Sequence, residues 1–206
     1  MITLIDYGSG NIHAIANIYK RLNIPFNMSF NPDELFKAEK LILPGVGDFD
    51  ETMKLFEKNG VKEALNEAVV HKKTPILGVC VGMQIMGNSS EEGELNGFGW
   101  IKGKVRLIST ENLTQKPHLP HLGWNTVRFN PESLLFKGVE SELGFYFLHS
   151  YYFDCENSAD VYATTVYGDE FASAINHKNV FGVQFHPEKS HKNGIRIFKN
   201  FYDYNA

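Results

Sequence analysis

The chain has 206 residues, 43% hydrophobic and 21% charged, which is ample material for the core of one soluble domain. A formal charge of −4 argues against a nucleic-acid partner, which calls for a basic face. Two cysteines, Cys80 and Cys155, are too few for a disulfide framework and suit a reducing compartment. The start, Met1-Ile-Thr-Leu-Ile-Asp6, lacks the basic region and cleavage site of a signal peptide, and no apolar run is long enough to span a bilayer. The expectation is a cytoplasmic protein with no membrane partner.

In chain order, Ile2–Ile5 reads as a short apolar strand that ends at Asp6-Tyr-Gly-Ser-Gly-Asn11. Ile12, Ile15, Ala16, Tyr19 and Leu22 then follow the spacing of one helix face. Residues 25–30 and 41–43 read as further strands, and this alternation favours a parallel sheet with helices on both faces. Gly8-Ser9-Gly10-Asn11 resembles half of a dinucleotide fingerprint, but the third glycine and the acidic partner are missing, so it reads as a tight strand-to-helix turn.

Strand 41–43 runs into Pro44-Gly45-Val46-Gly47, whose glycines allow amide N–H groups to turn toward an anion, as an oxyanion hole requires. Alone, the same stretch is equally an ordinary turn. Residues 48–58 and 61–71 read as helices broken at Asn59-Gly60.

The stretch 75–84 carries the chemistry. Ile76, Leu77 and Val79 form an apolar run, and Met83, Gln84, Ile85 and Met86 are helix formers stopped by Gly87-Asn88. Between them lies Gly78-Val-Cys80-Val-Gly82, the cysteine form of a strand–turn–helix elbow that lifts a nucleophile above a sheet end. A helix starting just after Cys80 points its N-terminus at the sulfur and favours the thiolate. The competing reading is a buried structural cysteine, so partners are needed to decide.

Beyond the elbow, 89–93 is polar and loop-like, and 109–120 reads as a surface loop. Residues 103–108, 127–129, Phe145–His149, 161–166, 172–176 and 180–185 read as strands, close enough together to suggest antiparallel additions to the parallel core. Residues 193–202 read as a terminal amphipathic helix. No repeat, low-complexity tract or linker is evident, so residues 1–206 are expected to form one α/β domain with a central mixed, mostly parallel sheet.

Gly182-Val-Gln-Phe-His186-Pro-Glu188 closes the last strand, leaving His186 at its end with Glu188 two residues on. A cysteine nucleophile needs an imidazole to take its proton and later protonate a leaving amine, and a carboxylate to hold that imidazole. His149 is a rival base, but Glu188 favours His186. His13, His71, His177 and His191 read as surface residues. His118 and His121 lack further ligands, so no metal is expected.

Pro-Gly-Val-Gly at 44–47, Gly-Val-Cys-Val-Gly-Met-Gln at 78–84 and Gly-Val-Gln-Phe-His-Pro-Glu-Lys-Ser at 182–190 resemble the class I, triad-type glutamine amidotransferases. More narrowly, His121-Leu-Gly-Trp-Asn125 and Tyr146-Phe-Leu-His-Ser-Tyr151 resemble the glutaminase-subunit family of imidazole glycerol phosphate synthases in histidine biosynthesis. Val81 stands where that family commonly has leucine, and Leu122 where it has methionine.

The resemblance implies no metal and no organic cofactor. It implies that Cys80 attacks the side-chain amide of glutamine, that His186 moves the proton, and that Glu188 orients His186. Ammonia would pass to a (βα)8-barrel synthase (cyclase) subunit in a heterodimer. The family's oxyanion hole maps to the backbone amides of Val46, Gly47 and Val81. Its glutamine site maps to Gly45, Gln84, Glu92, Ser150 and Tyr151. Asn11 would anchor the 44–47 loop, and Trp124, Tyr146 and Lys189 would face the partner. A paralogue that aminates a surface-glycan sugar and a free-standing cysteine peptidase are the alternatives. A non-catalytic regulatory subunit would be expected to have lost a triad member, and none is missing.

Overall fold

Ile2–Ile5 (β1) is buried at all four positions, as a strand covered on both faces requires, with Thr3 the one polar side chain, donating to Asn27 Oδ1. The computed structural model describes residues 1–204 apart from Asn59, Gln115 and Pro117. Helix α1 (Ile12–Arg21) turns Ile12, Ile15, Ala16, Ile18 and Tyr19 inward, the face set by their spacing. Its last turn carries Lys20 and Arg21, cations at the negative end of the helix dipole. There follow β2 (Phe26–Ser29), α2 (Pro32–Lys37), β3 (Lys40–Leu43), α3 (Phe49–Phe56), α4 (Val61–Asn66), β4 (Ile76–Val79) and α5 (Val81–Gln84). Asn31 caps α2 and Asp48 caps α3, each accepting from amides of the first turn.

The second half contains β5 (Ser89–Ser90), β6 (Gly103–Leu107), β7 (His121–Asn125), β8 (Arg128–Phe129), β9 (Phe145–His149), β10 (Tyr151–Cys155), β11 (Val161–Tyr167), β12 (Asp169–His177), β13 (Val180–Val183) and α6 (His191–Asp203). The main sheet runs β2-β1-β3-β4-β13-β12-β10-β6-β5, with β11 joined to β12 and β8 to β11. Strands β2, β1, β3, β4 and β13 are mutually parallel; β12 pairs antiparallel with both β13 and β10. This is the mixed, mostly parallel α/β architecture expected, with the antiparallel part added at one side. A separate antiparallel ribbon, β7 with β9, packs beside it.

Several local readings are corrected. The polar stretch 89–93 begins with two residues that pair parallel to β6. Residues 61–71 are an α-helix only to Asn66, and Glu67–His71 widens into a π turn. Of the Asn59-Gly60 break and the 109–120 loop, residues 59, 115 and 117 lie outside the described residues. Strand β7 is inverted relative to a usual half-buried strand: His121 is buried while Leu122 and Trp124 are 59% and 48% exposed. An aromatic cluster of Phe136, Phe145, Phe147 and Phe185 fills the space between ribbon and sheet, with Phe145 and Phe185 stacked at 3.9 Å. That packing sets the ribbon against the carboxyl ends of β4 and β13.

Candidate active site

Strand β4 stops at Cys80, which has φ 55° and ψ −116°, a conformation non-glycine residues rarely adopt. Such strain costs of order 1–3 kcal/mol and gathers at functional sites. It is held by the fold: the Cys80 amide donates to Val183 O at 2.8 Å, and the Cys80 carbonyl accepts from the amides of Met83 and Gln84 as α5 begins. The thiol thereby lies at the N-terminus of a short helix, beside the neighbouring strand's end.

From that end the chain continues through Gln184 and Phe185 to His186. Its amide donates to Tyr146 O at 2.8 Å, and its carbonyl accepts from Ser190 Oγ at 2.6 Å. Pro187 starts a single 3-10 turn, which returns Glu188 to the imidazole. His186 Nδ1 lies 2.9 Å from Glu188 Oε1, with side chains 3% and 1% exposed. A proton on Nδ1 donated to Glu188 leaves Nε2 for other work. Burial alone would lower the pKa of His186. Its interactions with Cys80 and Glu188 outweigh that and push it up to about 10. Cys155, by contrast, is pushed up to about 12 by burial and by Asp160 and Asp154, which makes it a poor nucleophile.

Cys80 and His186 open onto a cavity of about 220 Å³, lined also by Val46, Gly47, Val81, Gln84, Glu92, Leu148, His149, Ser150 and Tyr151. It is below the roughly 300 Å³ where pockets for drug-sized ligands begin, a size suited to one amino acid. Of the residues assigned by resemblance to oxyanion and glutamine, all line it except Gly45. That residue instead passes against the elbow, where a Cβ would lie 2.2 Å from Gly82 N. Gly47 has φ +122°, in the range that favours glycine.

Glu92 accepts from the Phe49 amide at 3.0 Å. Burial, opposed by that bond and reinforced by Asp48 and Asp50, raises its pKa. Gln84 donates from Nε2 to Tyr151 O and to Gln184 Oε1, both at 3.0 Å.

The anchor of the 44–47 loop differs from expectation. Asn11 makes no side-chain cap bond, and among the described residues it makes no hydrogen bond to the loop. Tyr7 Oη donates to Pro44 O and Ser9 Oγ to Val46 O, both at 2.6 Å. The physical reason is that Gly10 packs against Pro44, so the residues before it reach the loop while Asn11 stands at the N-cap of α1.

Trp124, Tyr146 and Lys189 come together on one face. Lys189 Nζ lies 5.5 Å from the Tyr146 ring centroid, and Trp124 meets Tyr146 edge-on at 6.3 Å and stacks on His191 at 5.2 Å. His149, the rival base, has both ring nitrogens engaged, Nδ1 with Tyr151 O at 2.7 Å and Nε2 with His121 Nδ1 at 3.0 Å. Gln184 escaped the sequence reading. It is fully buried, and its Nε2 lies 3.7 Å from Cys80 Sγ. Its signal was an amide side chain within the apolar run Val-Phe-Gly-Val-Gln-Phe. No group of three or more acidic, cysteine or histidine residues placed to hold a metal occurs among the described residues, and no helix there is long and apolar enough to cross a membrane.

The family model for class-I glutamine amidotransferases matches residues 3–204. An imidazole glycerol phosphate synthase subunit HisH from Bdellovibrio bacteriovorus is 49% identical over 205 residues, covering 98% of each chain. The HisH subunit of Leptospira borgpetersenii is 46% identical over 201 residues, again 98% of each. Among solved structures, that of PurLQS from Thermotoga maritima matches 98% of this chain and 97% of the matched one, with a TM-score of 0.73 and 17% identity, which speaks to fold alone. The chain belongs to the class-I glutamine amidotransferases and, within them, to the family of imidazole glycerol phosphate synthase HisH subunits.

Proposed function

We propose that the chain is a glutaminase subunit that hydrolyses glutamine to glutamate through a Cys80–His186–Glu188 triad and passes the ammonia to a synthase partner in histidine biosynthesis. The observation that carries this reading is the meeting of the elbow cysteine with a carboxylate-held imidazole in an amino-acid-sized pocket. His186 accepts the Cys80 proton, and the thiolate attacks the side-chain amide carbon of glutamine. Negative charge then collects on the former carbonyl oxygen, for which the backbone amides of Val46, Gly47 and Val81 are the candidate donors. His186 returns its proton to the departing ammonia, leaving glutamate as a thioester on Cys80. Water, deprotonated by the same imidazole, hydrolyses it. Glu92, at the pocket wall, suits the α-ammonium of glutamine, with Ser150 and Tyr151 alongside.

The partner is a (βα)8-barrel cyclase subunit, joined in a cytoplasmic heterodimer across the face of Trp124, Tyr146 and Lys189. The pair would act as a lyase giving imidazole glycerol phosphate and AICAR, with no metal or organic cofactor in this subunit. The HisH names of the relatives support this acceptor over a glycan sugar, and the small pocket argues against a peptidase. Reconstitution with the barrel subunit tests it. Glutamine-dependent formation of imidazole glycerol phosphate is expected. Glutamine hydrolysis without that product would move the chain to another acceptor.

A further inference from the structure

The ribbon β7–β9 buries two histidines that the triad does not use, His149 at the pocket wall and His121 behind it. Their proton positions are set by their neighbours. Tyr151 O can only accept, so His149 Nδ1, 2.7 Å away, carries a proton. Asn125 is oriented by its Oδ1, which accepts from the Thr126 amide, and by its Nδ2, which donates to Val166 O. Its amide N–H therefore faces His121 Nε2 at 3.2 Å, which must accept, so the His121 proton sits on Nδ1. That Nδ1 lies 3.0 Å from His149 Nε2 and donates to it, which leaves His149 Nε2 bare. A proton added to either ring would set a donor against a donor, so the network closes only with both imidazoles neutral.

The chain of bonds continues to the nucleophile. Tyr151 O accepts from Gln84 as well as His149; the second Gln84 proton goes to Gln184 Oε1, and Gln184 Nε2 faces Cys80 Sγ at 3.7 Å. Each amide orientation fixes the next. An inverted Gln184 would put its oxygen against the sulfur and two N–H groups against each other at Gln84.

We propose that the His121–His149 pair is a positioning device for the nucleophile, holding Tyr151 O, Gln84 and Gln184 so that an amide N–H faces the Cys80 sulfur, and doing so only while both rings are neutral. This rests on Cys80 as the nucleophile. The surroundings suit the neutral state: His121 is stacked between Phe147 and Tyr167, and Phe171 packs on both histidines. Burial is the main influence lowering His149, to about 3, and the charges acting on it are those of His121 and His186, both of which oppose its protonation. Burial likewise lowers His121 to about 4. Of the titratable groups around the pair, Tyr167 stacks on His121, while His186, Cys80 and Glu92 share the cavity wall with His149.

The test reads Cys80 reactivity rather than glutamine turnover, so it survives a failure of the glutaminase reading. In the full chain carrying Cys155→Ser, the pH midpoint of Cys80 alkylation by iodoacetamide is measured for the parent, His149→Phe and His149→Asn. Losing the donor to Tyr151 O should raise the midpoint by about one pH unit, a tenfold effect typical of one hydrogen bond. Asn places an N–H near the former Nδ1 and should restore it. An unmoved midpoint in a folded His149→Phe chain overturns the proposal, because a merely structural role would lower the melting temperature alone. Imidazole ¹⁵N resonances of the unmutated chain give a second check that needs no substitution. Both rings should be Nδ1–H tautomers at neutral pH, and an Nε2–H tautomer at either position overturns the proposal.

Discussion

Glu188 is buried with one oxygen on His186, and its second oxygen has no hydrogen-bond partner among the described residues. The imidazole and the carboxylate therefore sustain each other, and their substitutions should differ in kind. His186→Ala removes the proposed proton carrier, for which a loss of ~10²–10⁴ in single-turnover rate is expected. Glu188→Gln keeps an acceptor for Nδ1 but removes the charge that stabilises the imidazolium, so its loss should be smaller. Rapid-quench measurement of thioester formation with the partner bound decides this, and a Glu188→Gln enzyme slower than His186→Ala would reverse the two roles. Both residues were legible in the sequence because the His-Pro-Glu spacing is local. Gln184 was not, since its meaning depends on Gln84 and Cys80, which are 100 and 104 positions away.

At the scale of elements, the 44–47 loop is wedged between the elbow and the turn after β1. The Val46 carbonyl is held by Ser9, which fixes the 46–47 peptide and with it the direction of the Gly47 amide. Ser9→Ala should lower the rate of thioester formation while leaving the melting temperature within a few degrees, because one exposed bond contributes only ~1 kcal/mol. Asn11→Ala should change the rate less, and the reverse order would restore Asn11 as the anchor. Gly45→Ala should act more strongly. Its Cβ would meet the Gly82 backbone, so either loop or elbow must move, and displacing a donor of the proposed oxyanion hole is expected to cost ~10²–10³ in turnover.

The same contrast runs through the fold. Strands β1, β3 and β4 were readable as short, mainly apolar runs, and α1 from its periodicity. Strand β7 was hidden because its apolar side chains point outward and its histidine inward. Strand β10 was hidden because Phe153 alone of its five residues is buried. Tyr7 and Ser9 went unnoticed as loop anchors because their partners lie 37 residues on.

The whole molecule carries opposite pH dependences in its buried histidines. His121 and His149 are depressed below their unfolded value of roughly 6.5, so they favour the folded state above that pH and withdraw stability as pH falls toward 4 and then 3. Each can contribute a slope of up to ~1.4 kcal/mol per pH unit in that window. His186 is raised, so its contribution is complete below about 6.5 and is lost as pH rises through about 10. Urea midpoints should therefore fall from pH 7 to pH 5, where most exposed carboxylates have not yet titrated, and fall again toward pH 10. A flat profile between pH 7 and 5 would mean the ribbon histidines are accessible to protons. The central claim, that Cys80 is the nucleophile of a glutaminase feeding a partner, is tested most directly by one comparison on the reconstituted pair: synthesis from glutamine against synthesis from ammonium, in the parent and in Cys80→Ala. The substitution should abolish glutamine-dependent synthesis and spare the ammonium-dependent reaction, whereas undiminished use of glutamine by Cys80→Ala would contradict the account.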